Sequence, residues 1–355
     1  MLIPLFTLVL LGAAVLYSAA GGSMQPFASG HLVRFCVFLV MAVVISKLPR
    51  DFFKWAAYPA YAATVLLLLA VEIMGFVGGG SQRWIDLGFI NLQPSEIMKP
   101  VIVLALARFY DALPAGMVGT WRALVPAGVL ILVPMALVLA QPDLGTSLAI
   151  AFGGVVVMFL AGLPLRWFAM AGGAAAAALP LLYSFALEPY QRRRVTTFLD
   201  PASDPLGDGY HITQSKIAIG SGGLSGKGFG NGSQSHLEYL PEPHTDFVFA
   251  TMAEEWGLIG GLFVLLVFGI LLRWGMIVAR TAPERFGRLL ASGMVATIFF
   301  YVAINLLMVM GFAPVVGIPL PFMSHGGSSM MTNMICLGTL MAVRNWGTKR
   351  SGFGG

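Results

Sequence analysis

The run Y-L-P-E-P-H-T-D-F-V-F-A-T-M-A-E-E-W-G-L-I-G, Tyr239 to Gly260, concentrates polar groups at the edge of an apolar stretch. Glu242, His244 and Asp246 fall in a turn that leads straight into a hydrophobic helix, so a carboxylate and an imidazole stand where water meets hydrocarbon. An enzyme working on a lipid-carried polar substrate needs them there. A carboxylate at Asp246 can take a proton as a general base, and His244 can orient a phosphate or that carboxylate. The structural alternative is that Thr245 or Asp246 caps the helix, since Ser, Thr, Asp and Asn are the favoured N-caps, and that His244 is an ordinary interfacial histidine. The helix dipole lowers the pKa of Asp246 and desolvation raises it, so the sequence leaves that direction open.

Other ionisable side chains within or beside hydrocarbon are candidates because each costs about 2.5–3.5 kcal/mol there. They are Glu72, Glu96, Lys99, Asp143, Glu254 and Glu255. Glu96 and Lys99 share a helix face and can pair. Either pairing is their whole role, or Glu96 holds Lys99 where it, or Arg83 in the preceding loop, meets a pyrophosphate. Trp84 either stacks on a sugar ring or belongs to an interfacial aromatic belt. Asp143, in Q-P-D-L-G, has the neighbours of a turn residue. Glu254 and Glu255 lie roughly 12–14 Å further along a helix than Asp246, which suits hydrogen bonds to neighbouring helices. From Gly317 to Ser329 Pro and Gly break the backbone at the membrane edge, tolerable only where it is buried in protein or faces water. The N–H groups and hydroxyls of Gly326, Gly327, Ser328 and Ser329, at a helix start, suit a phosphate.

Cys36 and Cys336 both sit in apolar runs, and no Cys/His metal spacing, P-loop or nucleophilic serine elbow is present in the sequence. The expectation is no metal site and no resident cofactor, with a divalent cation entering only alongside a substrate pyrophosphate, on one or two carboxylates.

The elements that must position these residues are membrane spans. The 355 residues are 57% hydrophobic and 10% charged with a mean hydropathy of +0.83, against about 25% charged in a soluble domain. This predicts an all-α polytopic membrane protein, a single domain over 1–355. About ten spans are predicted, near residues 2–20, 32–48, 55–75, 95–110, 122–140, 145–162, 167–187, 247–279, 288–312 and 328–343. The net charge of +5 is scattered, which excludes a nucleic-acid stripe and favours anionic lipid as the partner of the basic loops. The short loops with Lys47, Arg50 and Lys54, with Arg108 and Arg122, with Arg166, with Arg280, Arg285 and Arg288, and the end with Arg344, Lys349 and Arg350 all fall on one side, predicted cytoplasmic. The opposite side carries His31, His211, His236, His244 and His325 and a long loop over 188–245. Arg192, Arg193 and Arg194 break the charge rule, which is weak in so long a loop. The loop is predicted to be a lid or substrate platform, with an amphipathic interfacial helix from Tyr210 to Ile219. The first span opens at the first residue, with no basic segment of the kind that precedes a cleaved signal core.

Three stretches carry a family resemblance: P-E-P-H-T-D-F-V-F-A-T-M-A-E-E-W-G, then G-I-P-L-P-F-M-S-H-G-G-S-S (Gly317 to Ser329), then Q-R-W-I-D-L-G with Q-P-S-E-I-M-K (Gln82 to Lys99). Together they resemble the SEDS family (shape, elongation, division and sporulation) over nearly the whole chain, and G-K-G-F-G-N-G-S-Q-S-H-L-E-Y-L is more like its rod-shape members than its division members. Against the family, the start is truncated or unusually short, and His325 stands where Tyr is common. The resemblance implies a peptidoglycan polymerase of the bacterial cytoplasmic (inner) membrane, with its active site facing the periplasm. Such an enzyme joins lipid II units, releases undecaprenyl pyrophosphate and works with a class B penicillin-binding protein. It implies Asp246 as the catalytic acid-base group, acting on the acceptor sugar's 4-hydroxyl, and Asp143 as a cavity residue. Arg83, Trp84, Glu96, Lys99, Asp143, His244, Ser328 and Ser329 form the expected substrate-binding set, with Lys99, Arg83 and the arginines near Arg192 meeting the leaving group. The rival readings are a lipid II flippase, which would need access from both faces and internal repeats that the sequence does not display, and a non-catalytic scaffold for the transpeptidase.

Overall fold

The computed structural model describes residues 1–74, 76–78, 81–86, 91–181, 189–200, 204, 207–237, 239–240 and 242–351. Its helices are α1 (Leu2–Ala19), α2 (Phe27–Lys47), α3 (Arg50–Met74), α4 (Pro94–Ala112), α5 (Trp121–Ala140), α6 (Leu144–Leu160), α7 (Leu165–Leu181), α8 (Pro189–Leu199), α9 (Asp208–Ser221), α10 (Ser233–His236), α11 (Val248–Thr281), α12 (Arg285–Val309) and α13 (Gly327–Ser351). In lipid every backbone group must be satisfied within the chain, so long uncharged runs become helices. Among the described residues six helices, α1, α2, α3, α5, α11 and α12, are long and apolar enough to cross a membrane, and α6 is a shorter apolar helix. The protein is an all-α membrane protein.

The ten expected spans and these six helices differ for a physical reason at α4 and α13. Helix α4 carries Glu96, Lys99, Arg108 and Asp111, yet Met98, Ile102, Val103, Leu106, Ala107 and Tyr110 are fully buried where it packs against α3, α5, α6, α12 and α13. A helix shielded by its neighbours needs no lipid-compatible surface. Helix α13 packs along α2 and buries Met330, Met334, Cys336, Leu337 and Leu340. Lipid-facing apolar side chains belong instead to the outer helices, as at Val33, Val40, Leu66, Ile259 and Leu266. The end of the seventh expected span, 182–187, and Glu188 at the start of the long loop lie outside the described residues.

Two loop expectations are corrected. The segment after α3 forms a small antiparallel sheet, β1 (Phe76–Gly78), β2 (Ser81–Asp86) and β3 (Asn91–Leu92), with Phe76 opposite Trp84 and Ile85 opposite Leu92. Strands of so few residues offer too little alternation to be read from sequence. The long loop contains helices α8, α9 and α10. Helix α9 spans the expected amphipathic stretch, but it packs on α11 and α12: Ile212 and Ala218 are buried, and Ser215 Oγ donates to the carbonyl of Val309 at 2.7 Å.

Helix α11 is broken at Gly257, whose φ of 65° and ψ of −163° lie outside the helical region. The glycine-rich chain after α9 repairs the break. Lys227 N–H donates to Glu254 O and Gly228 N–H to Glu255 O, both at 3.0 Å, while Leu258 N–H donates to Gly223 O at 2.9 Å and Ile259 N–H to Leu224 O at 3.2 Å. Side chains reinforce it. The fully buried Glu254 carboxylate accepts from Lys227 Nζ at 2.6 Å, Ser233 Oγ at 3.0 Å and Gln234 N–H at 3.1 Å, and Glu255 accepts from Ser18 Oγ of α1. Glu255 thus bonds a neighbouring helix as expected, whereas Glu254 bonds the chain that precedes its own.

Gly257→Ala should therefore lower thermal stability in detergent by at least about 1–2 kcal/mol, the cost of a left-handed alanine, because its Cβ would also press on Leu224 O at 2.6 Å. Gly269→Ala, where a Cβ meets nothing within 4 Å, should melt at or above the parent temperature. Equal melting of the two variants would contradict this account of the break.

Candidate active site

Asp246 leaves the turn that feeds α11. Thr245 N–H and Phe247 N–H both donate to Glu242 O, at 3.1 and 3.4 Å, and Thr245 Oγ donates to Glu242 Oε2 at 2.9 Å. Phe247 occupies the N-cap and no side chain caps the helix, so neither Thr245 nor Asp246 is used as a cap. The Asp246 carboxylate accepts no hydrogen bond and forms no ion pair among the described residues, and it is partly open to solvent. Its main chain is held firmly: Asn305 Nδ2, from α12, donates to Asp246 O and to Ile318 O, each at 2.8 Å. Opposite the carboxylate lies Gly317, at φ +66°, where a Cβ would stand 3.6 Å from Asp246 Oδ2. Burial, with the charge of Glu242 adding to it, pushes the Asp246 pKa up to about 7. The group is thus poised to exchange a proton near neutral pH.

Beside it, aromatic and imidazole rings join α2 to the same turn. The His244 ring stacks on Phe27 with centroids 3.7 Å apart, and Phe27 meets His325 edge-on at 5.2 Å. His325 N–H donates to His244 O at 2.8 Å. Arg34 Nη1 lies 2.9 Å from His325 Nε2, and His325 Nδ1 lies 3.1 Å from the carbonyl of Phe27. A guanidinium only donates and a carbonyl only accepts, so His325 carries its proton on Nδ1 and accepts at Nε2. Burial lowers the pKa of both histidines, and Arg34 lowers that of His325 further. His244 is consequently a neutral, stacked ring at pH 7. Arg34 was not among the residues singled out from sequence, although an arginine inside the apolar run 27–47 is a readable signal.

The expected substrate residues fall into three groups around this turn. Asp143 caps α6, accepting from Thr146 N–H at 3.0 Å, and also from Gln93 Nε2 at 3.2 Å. Arg83, on β2, lies 3.8 Å from Asp143 and donates to the carbonyls of Gln141, at 3.0 Å, and Pro142. Arg83 thereby clasps the α5–α6 turn, with Trp84 half-buried next to it. That turn reaches the loop facing Asp246 through Gly145, whose missing Cβ leaves room for Val316 O at 2.8 Å. Ser328 and Ser329 are buried in the first turn of α13, where a Cβ on Gly327 would stand 3.6 Å from Arg34 Cδ. They therefore share the Arg34 and His325 corner.

The third group is a closed charge cluster. Lys99 Nζ donates to Glu96 Oε1 at 2.5 Å and to Tyr301 Oη at 2.7 Å, and Tyr301 Oη donates to Glu96 Oε2. Lys99 and Tyr301 are at most 1% exposed. Thr332 Oγ donates to Glu96 O at 3.1 Å, which ties α13 to α4. Tyr301 and Asn305 are one turn apart on α12, about 6 Å along the axis, so the cluster sits one turn from the bond that holds Asp246. Tyr301 and Asn305 were not anticipated, since a lone Tyr or Asn in an apolar helix has no partner visible in sequence. Among the described residues no three His, Cys, Asp or Glu side chains are grouped to hold a metal ion.

Comparison with known proteins gives a consistent picture. The profile of the FtsW/RodA/SpoVE family, described as "Cell cycle protein", matches residues 1–348. The peptidoglycan glycosyltransferase MrdB of Escherichia coli is 46% identical over 349 residues, covering 97% of this chain and 92% of that protein. The peptidoglycan glycosyltransferase RodA of Treponema pallidum is 30% identical over 420 residues, covering 97% of this chain and 96% of its own. A solved structure described as "Structural coordination of polymerization and crosslinking by a peptidoglycan synthase complex" is similar at TM-score 0.84 and 33% identity, over 98% of this chain and 97% of that one. The rod shape determining protein RodA of Thermus thermophilus is similar at TM-score 0.73 and 31% identity, over 97% and 95%.

The cluster makes its own prediction. Lys99→Met leaves Glu96 charged, buried and without its cation, and should destabilise the protein by about 3–5 kcal/mol. Lys99→Met combined with Glu96→Gln removes both charges and should recover most of that loss in a thermal melt. A double variant no more stable than the single one would show that the pair is not the cluster's main interaction.

Proposed function

Because the chain belongs to the FtsW/RodA/SpoVE family, the SEDS family of the sequence resemblance, we propose that it is a peptidoglycan glycosyltransferase that polymerises lipid II with Asp246 as general base. The observation that carries the assignment is the Asp246 carboxylate itself: it serves no cap, has no partner among the described residues and faces the bare backbone of Gly317, where burial raises its pKa. In this reading Asp246 takes the proton of the acceptor sugar's 4-hydroxyl as that oxygen attacks the donor's anomeric carbon. The bond from that carbon to the phosphate oxygen breaks, and undecaprenyl pyrophosphate leaves with the electron pair. A good leaving group needs charge stabilisation more than a proton. Arg34, with the first turn of α13 and the hydroxyls of Ser328 and Ser329, supports that role. Arg83 and Asp143 shape the far wall, Trp84 and His244 offer faces for sugar rings, and Lys99 with Glu96 acts from beneath. A divalent cation, if the reaction uses one, would arrive with the substrate pyrophosphate rather than at a site built by this chain.

In the same proposal residues 1–355 form one domain with ten spans, α1 to α7 and α11 to α13. The ends of α2, about 30 Å apart, support the orientation. At its C-terminal end Arg50 pairs with Glu284, Lys54 donates to Asp111 at 2.7 Å, and Asn345 and Trp346 donate to the carbonyls of Ser46 and Leu48. The basic short loops meet there, which supports a cytoplasmic placement of that end. At its N-terminal end Phe27 stacks on His244 of the Asp246 turn and Arg34 bonds His325, which supports a periplasmic placement of the site and the 188–245 segment in the inner membrane. The likeness to a synthase that couples polymerisation to crosslinking supports a class B penicillin-binding protein as the partner.

Asp246→Asn keeps size and hydrogen-bonding capacity but not the basic oxygen, and should lower polymerisation by about 10²–10⁴-fold in a folded protein that still binds lipid II. The assay is glycan length from lipid II with the transpeptidase partner and a penicillin present; polymer at the parent level would remove Asp246 from the mechanism. The rate of the parent should rise with pH through an apparent pKa of about 7, and Glu242→Gln should move that limb downward. The same raised pKa means that this group's contribution to folding is complete below its unfolded value and is lost as pH rises through about 7. For orientation, a cysteine at the exposed, polar position Asp200 should react with an impermeant maleimide before the inner membrane is opened. Labelling only afterwards would reverse the topology.

A further inference from the structure

One amide joins the two segments that face each other across the proposed reaction centre. Asn305 is fully buried on α12, and its single Nδ2 group spends both N–H bonds on main-chain carbonyls, Asp246 O and Ile318 O at 2.8 Å each. Its own Oδ1 is buried without a donor among the described residues. Rotating the amide would set that oxygen against two carbonyl oxygens, so the orientation is fixed by the contacts. A buried acceptor left unpaired is costly, and its presence in an apolar helix says that the two donated bonds are what the position is for.

Those bonds meet the carboxylate's surroundings from both sides. Asp246 O belongs to the same residue as the carboxylate, and Ile318 directly follows Gly317, the residue that the carboxylate faces. The separation between Asp246 and its facing backbone is therefore held by this side chain at Asp246 itself, with the main-chain bond from His325 N–H to His244 O as the second tie between the two segments. One turn away, Tyr301 is locked to Glu96 and Lys99, so the helix that carries Asn305 cannot slide independently of α4.

We propose that Asn305 is a positioning residue for Asp246, holding the base at a fixed distance from the 317–318 backbone and keeping bulk water from between them. The inference rests on the general-base reading of Asp246 and adds a residue to it. The titratable groups around Asp246 are Glu242 and His244 on its own turn, His325 and Arg34 packed behind that turn, His211 of α9 with its ring 6.0 Å from that of Phe247, and Tyr301 of α12 with its α4 partners Glu96 and Lys99. Asn305→Ala changes none of these side chains. It frees both carbonyls, lets the loops part and rehydrates the carboxylate, whose pKa then falls towards the ordinary range.

The test uses the full chain with its transpeptidase partner, lipid II as substrate and rates followed across the acid limb. Asn305→Ala should lower kcat by about 10²-fold, the scale of a misplaced reacting group, with KM for lipid II changed far less. Its acid limb should move down by about one pH unit or more, the size that loss of part of a burial shift produces. A purely structural asparagine predicts a different pattern: activity falling only with the folded fraction, and an acid limb at the parent position. That pattern would overturn the inference. Should the alanine variant not fold, Asn305→Ser, whose hydroxyl reaches one carbonyl at most, is measured instead, and an unmoved limb there overturns it equally. Asp246→Asn separates the two levels. If that variant polymerises at the parent rate, the base reading fails and the inference with it; if it is inactive while the Asn305 limb stays fixed, only the inference fails.

Discussion

Hydrocarbon leaves no water to pair with an interrupted helix, so the break in α11 at Gly257 has to be satisfied by protein. The glycine-rich chain from Gly223 to Gly228 does this, donating two main-chain hydrogen bonds to the carbonyls before the break and accepting two from the N–H groups after it. Much of the outer architecture follows. Helix α9 must end where that chain can reach the break, and its buried face is committed to α11 and α12. The chain must then return through Ser233 and Gln234, which bond Glu254, before it can form the Asp246 turn. Gly226, at φ +79°, lies so close to Glu255 O that a Cβ would collide with it, which is why this stretch consists so largely of glycine. A defect that would be intolerable in a lipid-facing helix fixes the segment in front of the site.

Charge is managed in the same way. Glu254 is paired with Lys227, Glu96 with Lys99, Asp143 with Arg83 and Asp111 with Lys54, while the neutral donors Tyr301 and Gln93 add hydrogen bonds to Glu96 and Asp143. Each pair lowers the cost of taking two ions out of water, and all but Glu96 with Lys99, which share α4, join two segments. Asp246 is treated differently. Its main chain is clamped while its carboxylate is given no cation among the described residues, and burial raises its pKa to about 7. Anchored backbone with an unneutralised side chain is the arrangement a general base requires, since a salt bridge would lower the pKa and remove its affinity for a proton.

The sequence by itself determined a good deal. Composition and the length of the apolar runs determined an all-helical membrane protein, because transfer of a run into hydrocarbon depends on its own side chains. The polar turn at Glu242 to Asp246 ahead of a hydrophobic helix marked the candidate site, and the spacing of Glu96 and Lys99 marked a pair, because both signals are local. Arg34 was legible on the same principle.

Only the tertiary structure decided what depends on distant partners. That α4 tolerates four charged residues follows from its being enclosed by five other helices, which no feature of its own sequence announces. The three short strands, the break at Gly257 and its repair from more than twenty residues upstream arise from backbone pairing, which is blind to side-chain pattern. Whether Asp246 capped its helix or stood free turned on Phe247 taking the N-cap. The direction of its pKa shift turned on how much protein surrounds it. Asn305 acquires its meaning only when α12 meets the Asp246 turn and the Ile318 loop at once, because a hydrogen bond has no sequence signature on the side that donates a bare carbonyl's partner from another helix.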